Sequence, residues 1–243
     1  MLNNINLHHL LCIDIETVPA FEHFSELSPV MQELYNKKTE RLREEGSSDE
    51  DHYFNTAGIW AEFGKIICIS VGIFSKDKTT GALSFRIKSF SGDDEKKVLQ
   101  DFLDMAVKYF ASYQQLLFAG HNIKEFDIPY ICRRALINWI PLPAVIDFSG
   151  KKPYEVTMMD TMQYWKFGDY KNFTSLKLLA TLLGIESPKD DIEGKDVGGV
   201  YWKEKNLPRI VNYCQKDVVT VAQLILRYKE LPLLKAEEVV IVS

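Results

Sequence analysis

Leu10-Leu11-Cys12-Ile13-Asp14-Ile15-Glu16 is the stretch on which the reading of the fold turns. The apolar run from Leu10 to Ile15 is short and bounded by acids, which reads as a buried strand. Alternation along a strand sends Asp14 and Glu16 to one face, side by side. Like charges so close raise each other's pKa and destabilise the fold unless a cation sits between them. Carboxylate oxygens suit a hard ion such as Mg²⁺ or Mn²⁺. The spacing alone favours a plainer reading, a solvated strand end with two exposed acids. It recurs at Asp93-Asp94-Glu95 and Asp191-Ile192-Glu193, but only the first copy lies in a hydrophobic strand.

Working outward, residues 63–74 and 84–90 have strand character, with a turn around Gly81, so an antiparallel meander of three strands is expected. A helix follows over about 93–111, with acids in its first turn and Val98, Phe102, Met105, Ala106 and Tyr109 at helical spacing. Residues 115–120 return to strand, and 121–129 lead into a helix that runs to about Asn138, with Pro129 in its first turn. A strand is expected at 155–160, a helix at 175–183 closed by Gly184, and a last helix over about 208–231. A meander followed by alternating helix and strand gives an α/β domain with a mixed, five-stranded sheet flanked by helices. Residues 25–58 are charged and poor in apolar side chains between 41 and 52. They read as an inserted helix and a mobile loop that bury no core of their own, within a single domain spanning 1–243.

The 243 residues are 46% hydrophobic, enough for one large core, and the net charge is −5. No basic field of the kind that histones or repressors carry is present, so an anionic substrate must be held locally. There is no apolar run of the ~18 residues that a membrane span needs, and the start MLNNINLHHLLCIDIE lacks the marks of a secretion signal. A soluble, cytoplasmic chain is expected. Four separated cysteines and five scattered histidines argue against zinc knuckles, disulfide frameworks and serine–histidine triads.

Two further places could carry chemistry. Asp127 stands at a loop-to-helix junction in Asn122-Ile123-Lys124-Glu125-Phe126-Asp127, where an acid can equally be a helix cap. Tyr213 and Asp217 are one turn apart on one face of the last helix. Beside them runs the packing stripe of Ile210, Val211, Val218, Val221, Leu224 and Ile225, so the carboxylate lies near a buried surface and wants a partner.

Taken together, D-x-E in a strand, N-x-x-x-F-D at a helix entry and Y-x-x-x-D on a C-terminal helix resemble the DEDD exonucleases of ribonuclease H-like fold. The chain is most similar to the predicted 3′–5′ exonucleases related to the proofreading domain of family-B DNA polymerases. The likeness covers about residues 8 to 230 apart from the insertion, and takes in Asp160-Thr161, the SerLeuLysLeuLeuAla helix and Tyr-Cys-x-x-Asp-Val. The histidine-bearing subclass has His five residues before the last Asp; Asn212 stands there, which favours the tyrosine subclass.

The resemblance implies that Asp14, Glu16, Asp127 and Asp217 hold two divalent ions, Mg²⁺ or Mn²⁺, and that Tyr213 orients the attacking water. It implies nucleoside 5′-monophosphates released from the 3′ end of a single strand, DNA favoured over RNA. By the same likeness Thr17 meets the terminal 3′-hydroxyl through its backbone, and Asn122 and Phe126 buttress the helix entry and the last nucleotide. The plainer readings are a strand-end threonine and a core phenylalanine. Asp160 reads as structural. Lys124, Arg133, Lys171, Lys177 and Lys216 could meet phosphates, and Trp60, Tyr164, Trp165 and Phe167 could stack on bases. An RNA-trimming enzyme, a ribonuclease H-type endonuclease and a non-catalytic nucleic-acid-binding module are the alternatives. Recruitment by a replication or repair protein is a further expectation.

Overall fold

The computed structural model describes residues 5–76, 81–113, 116–169, 171, 173–186 and 192–242. Its central strand is β1 (Leu10–Pro19), apolar enough to be buried on both faces. The strand does not stop at its acids but continues through Val18 and Pro19, because β2 (Gly64–Lys76) keeps pairing with it down to Gly64. β2 is followed in the chain by β3 (Leu83–Ser91), and both pairings are antiparallel, as expected of the meander.

After α3 (Glu95–Ser112), β4 (Leu117–Gly120) runs parallel to β1, and α4 (Asp127–Ile137) leads on to β5 (Met159–Asp160). Only two residues of the strand expected at 155–160 pair. Residues Pro153–Glu155 form a 3₁₀ turn instead, and Asp160 ends the strand by capping α5 (Thr161–Lys166). Gln115, with which the strand at 115–120 was expected to begin, lies outside the described residues.

The sheet has six strands, in the order β5-β4-β1-β2-β3-β6, where five were expected. The additional strand, β6 (Val239–Ile241), is three residues long and carries no alternation that marks it in the sequence. It lies parallel to β3 at the edge.

α3 and α4 cover one face of the sheet through Val98, Leu99, Phe102, Ile128 and Ile131. The other face is covered by α6 (Leu176–Leu182), α7 (Val197–Trp202) and the long α8 (Leu207–Tyr228). α8 begins with an Asn206 cap and a proline in its first turn, and buries Val218, Val221, Leu224 and Ile225, the stripe read from its spacing. It approaches the sheet closely at Gly72, where a Cβ would lie 2.9 Å from the Val218 side chain and 2.2 Å from the Phe85 ring. Among the described residues no helix is long and apolar enough to cross a membrane.

The inserted segment differs from expectation. It folds into α1 (Pro29–Thr39) and α2 (Asp49–Thr56) and has its own small core of Phe24, Leu27, Tyr35, Tyr53, Ala57 and Phe63. Tyr35 meets Tyr53 and Phe63 edge-on, with ring centroids 5.3 and 5.1 Å apart. The charged stretch hides this core because a few widely spaced aromatics, each burying a large area, do what a run of aliphatics does elsewhere.

Candidate active site

β4 pairs with β1 only as far as Cys12, and beyond that point the strands part. The edge of β1 left open is met by α4: the buried Asp127 accepts a hydrogen bond from the Ile15 N–H at 3.2 Å through its Oδ1. The acid at the helix entry therefore reaches across to the strand rather than serving only its own helix. On the α8 face of the same strand, Asp14 and Glu16 stand two residues apart, as alternation requires. Glu16 is buried, and the Oδ2 of Asp14 is buried without a hydrogen-bond partner. α8 brings Tyr213 and Asp217 over them, and the tyrosine hydroxyl hydrogen-bonds to the Asp217 carboxylate.

The electrostatics record this crowding. Burial first, and then the charges of Asp217 and Asp127, push the Asp14 carboxyl well above the usual range. Glu16 is driven the same way by burial and by Asp14 and Asp217. Asp127 is pushed up to about 7 by burial and by its acidic neighbours Asp160 and Asp217, against the lowering effect of the amides it accepts from. Burial and three nearby carboxylates raise the Tyr213 phenol, so it stays protonated at neutral pH. All four acids read from the sequence are thus within electrostatic reach of one another.

One donor was missed. Cys214 places its sulfur within 4.8 Å of ligand oxygens of Asp14 and Glu16, and its thiol donates to the Asp14 carbonyl at 3.4 Å. Its only sequence signal was adjacency to Tyr213. The donor set, largely carboxylate and carrying a buried, unpartnered oxygen, fits a hard divalent cation. Asp14 and Glu16 form the inner pair that could hold one.

The surroundings are braced. Asp160, fully buried, accepts from the N–H groups of Asn122, Lys124, Met162 and Gln163, and so fixes the turn that delivers Asp127. Asn122 sits in the left-handed region at φ 61°, with its Oδ1 buried and unpartnered. Phe126 packs against the core beside the Tyr130 ring, 5.4 Å away. The Thr17 hydroxyl donates to the Gly58 carbonyl at 2.8 Å, and the Tyr130 hydroxyl, from α4, donates to that same oxygen at 2.8 Å. The end of the insertion is therefore latched to both elements that carry the acids. Glu95, part of a D-x-E copy set aside in the sequence, is a brace as well. It accepts from the Ile66 N–H and pairs with buried Arg134 of α4.

A DNA polymerase of Archaeoglobus fulgidus is 31% identical over 134 residues, 52% of this chain and 16% of that polymerase. The fold superposes on the family B DNA polymerase of the hyperthermophilic archaeon Pyrobaculum calidifontis with a TM-score of 0.53. That match has 17% identity and covers 90% of this chain and 24% of the polymerase. The chain thus spans a quarter or less of the length of either polymerase. Residues 59–234 match a family described as predicted 3′–5′ exonucleases related to the exonuclease domain of PolB, a stretch that includes Asp127, Tyr213 and Asp217 and begins after Asp14 and Glu16. By that match, over most of its length, the chain belongs to this family of predicted 3′–5′ exonucleases.

Proposed function

We propose that the protein removes nucleotides one at a time from the 3′ end of single-stranded nucleic acid, DNA in preference to RNA, releasing nucleoside 5′-monophosphates. The observation that carries the reading is the convergence of Asp14, Glu16, Asp127 and Asp217 from one strand and two helices, with Tyr213 bonded to Asp217. A binding module gains nothing from a cluster that repels phosphate when no metal is present. The preference for DNA rests on the polymerase kinship alone.

In this reading the four carboxylates hold two divalent ions, Mg²⁺ or Mn²⁺. When bound, such ions acidify a water and stabilise the departing 3′ oxygen. Tyr213 stays a neutral phenol, anchored through Asp217, and positions the attacking water by hydrogen bonding; it is too basic to be deprotonated itself. Thr17 and Asn122 border the place of the terminal nucleotide, and Asp160 holds the Asn122–Lys124 turn rigid. Phe126 closes the helix entry from the core side.

The test is incubation of 5′-labelled and 3′-labelled single strands, DNA and RNA of one sequence, with Mg²⁺, Mn²⁺ or EDTA. Metal-dependent stepwise shortening from the 3′ end supports the reading. Internal cuts, or retention without turnover, overturn it.

A further inference from the structure

The acidic cluster contains one donor that a site for a hard cation does not call for. Cys214, fully buried, follows Tyr213 on α8. The helix carries it close to the strands because Gly72 has no side chain to hold off Val218, which lies one turn further along. The Cys214 sulfur and an oxygen each from Asp14 and Glu16 all lie within 4.8 Å of one another. Among the described residues no other three metal-ligating side chains are gathered so tightly. The sulfur is backed by the Cys68 thiol, which stands on β2 opposite Glu16 and hydrogen-bonds to it.

A cysteine beside acids does not by itself make a metal site. The Asp14 Oδ2 supplies an independent sign, since it is buried without a hydrogen-bond partner, a costly state for a carboxylate oxygen. A cation shared with the sulfur would satisfy it. The kind of cation follows from the donors. Mg²⁺ and Mn²⁺ prefer oxygen and gain little from a thiolate, whereas Zn²⁺ takes thiolate and carboxylate together. Three protein ligands with a fourth position left for water is a familiar zinc arrangement. Zn–S and Zn–O bonds of about 2.3 and 2.1 Å place tetrahedral donors ~3.5 Å apart, so the three atoms here need to draw together by about 1 Å. Side-chain rotation gives shifts of that size.

We propose that Asp14, Glu16 and Cys214 form a site for a thiophilic divalent cation, Zn²⁺, which competes with the hard ions for the same two carboxylates. The thiol proton passes to solvent as the sulfur–metal bond forms. The binding itself needs nothing but these three side chains. Its consequence for turnover rests on the exonuclease reading above: zinc held by Asp14 and Glu16 withholds from Mg²⁺ or Mn²⁺ the ligands that this reading assigns to them, and so arrests the enzyme.

The experiment uses Cd²⁺ as the probe, because a cadmium–thiolate bond has an ultraviolet charge-transfer band and a cadmium–carboxylate bond does not. The full chain, stripped of metal and kept reduced with a phosphine, is titrated with Cd²⁺ without nucleic acid. The wild type should develop the band as Cd²⁺ reaches a stoichiometric amount. Zn²⁺ should then bleach it, and a large excess of Mg²⁺ should not. Cys214→Ser should lose the band and bind Cd²⁺ more than about 100-fold more weakly, beyond the roughly 10–100-fold that loss of an outer partner costs, with Mn²⁺ affinity held within about three-fold. Asp14→Asn keeps the size of its side chain and should weaken Cd²⁺ by more than about ten-fold. It carries the test if a thermal melt shows that Cys214→Ser does not fold. Cys132→Ser, which alters the half-buried thiol elsewhere in the chain, should keep the band. A wild type without the band overturns the proposal, as does a band that survives in Cys214→Ser, persists at unchanged affinity in Asp14→Asn, or disappears in Cys132→Ser. Failure of the exonuclease reading shows separately, as a wild type that does not shorten an unmodified strand in zinc-free Mg²⁺.

Discussion

Replacing Asp127 by Asn should make the metal-free protein more stable at pH 8. A carboxyl held at about 7 in the folded chain, against 3.8 when unfolded, binds its proton more tightly in the native state. Its stabilising contribution is complete below about pH 4 and is lost as the pH rises to about 7, beyond which the cost is constant. At 1.36 kcal/mol per pH unit, that cost is on the order of 4 kcal/mol at pH 8, and less than half of it remains at pH 5. Asn removes the charge and keeps an oxygen for the Ile15 N–H, but it brings an NH₂ group that costs about 1 kcal/mol or more if unpaired. The net gain expected is about 2–3 kcal/mol in EDTA at pH 8, a large share of a typical domain's ~5–15 kcal/mol. The assay is urea unfolding of both proteins in EDTA at pH 8 and pH 5, then at pH 8 with Mn²⁺. Metal at about a hundred times its dissociation constant should raise the wild type by about 2.7 kcal/mol and Asp127→Asn by much less. If Asn destabilises the EDTA form at pH 8, or if Mn²⁺ protects both proteins alike, the reasoning is wrong.

Other consequences can be measured directly. Tyr213→Phe removes the hydroxyl bonded to Asp217 and should slow turnover by about 10²-fold while leaving the Mn²⁺ affinity measured by calorimetry within about three-fold. Glu95→Ala leaves Arg134 charged and buried without its partner, and should cost about 3–5 kcal/mol in urea unfolding although it lies outside the acidic cluster. Asp160→Ala deprives four N–H groups of their acceptor. Its stability should fall by about 3 kcal/mol or more, and its Mn²⁺ affinity with it, because the turn before Asp127 is no longer fixed.

The meander and the last helix were legible because their patterns are local: alternation in β3, a proline and an apolar stripe in α8. β6 was not, since three residues at an edge acquire their identity from β3 and not from their own composition. The core of the insertion escaped for a related reason. Phe24, Tyr35, Tyr53 and Phe63 are too far apart in the chain for any window to see them as one cluster. At the candidate site the acids were readable from type and element; the structure sets the ligand oxygens of Asp14 and Glu16 together, with Asp127 and Asp217 within electrostatic reach of them. Cys214 was not, because nothing in a lone cysteine tells whether it faces a sheet of leucines or a pair of carboxylates. The bracing by Asp160, and the ion pair hidden in a D-x-E copy, depend on contacts 36 or more residues apart that only the folded chain brings into view.

The doubly used carbonyl of Gly58 bears on how such a chain can be altered. A side chain at that position would press to 3.3 Å from the Val18 backbone, so the turn tolerates little displacement. Excising the helical insertion to obtain a minimal nuclease would strip one acceptor from two hydroxyls at once, on Thr17 and on Tyr130. Those residues neighbour Glu16 in β1 and follow Asp127 by about one helical turn in α4. What looks in the sequence like a dispensable appendage is a shared hinge pin, and trimming it would let the two halves of the acidic cleft drift independently.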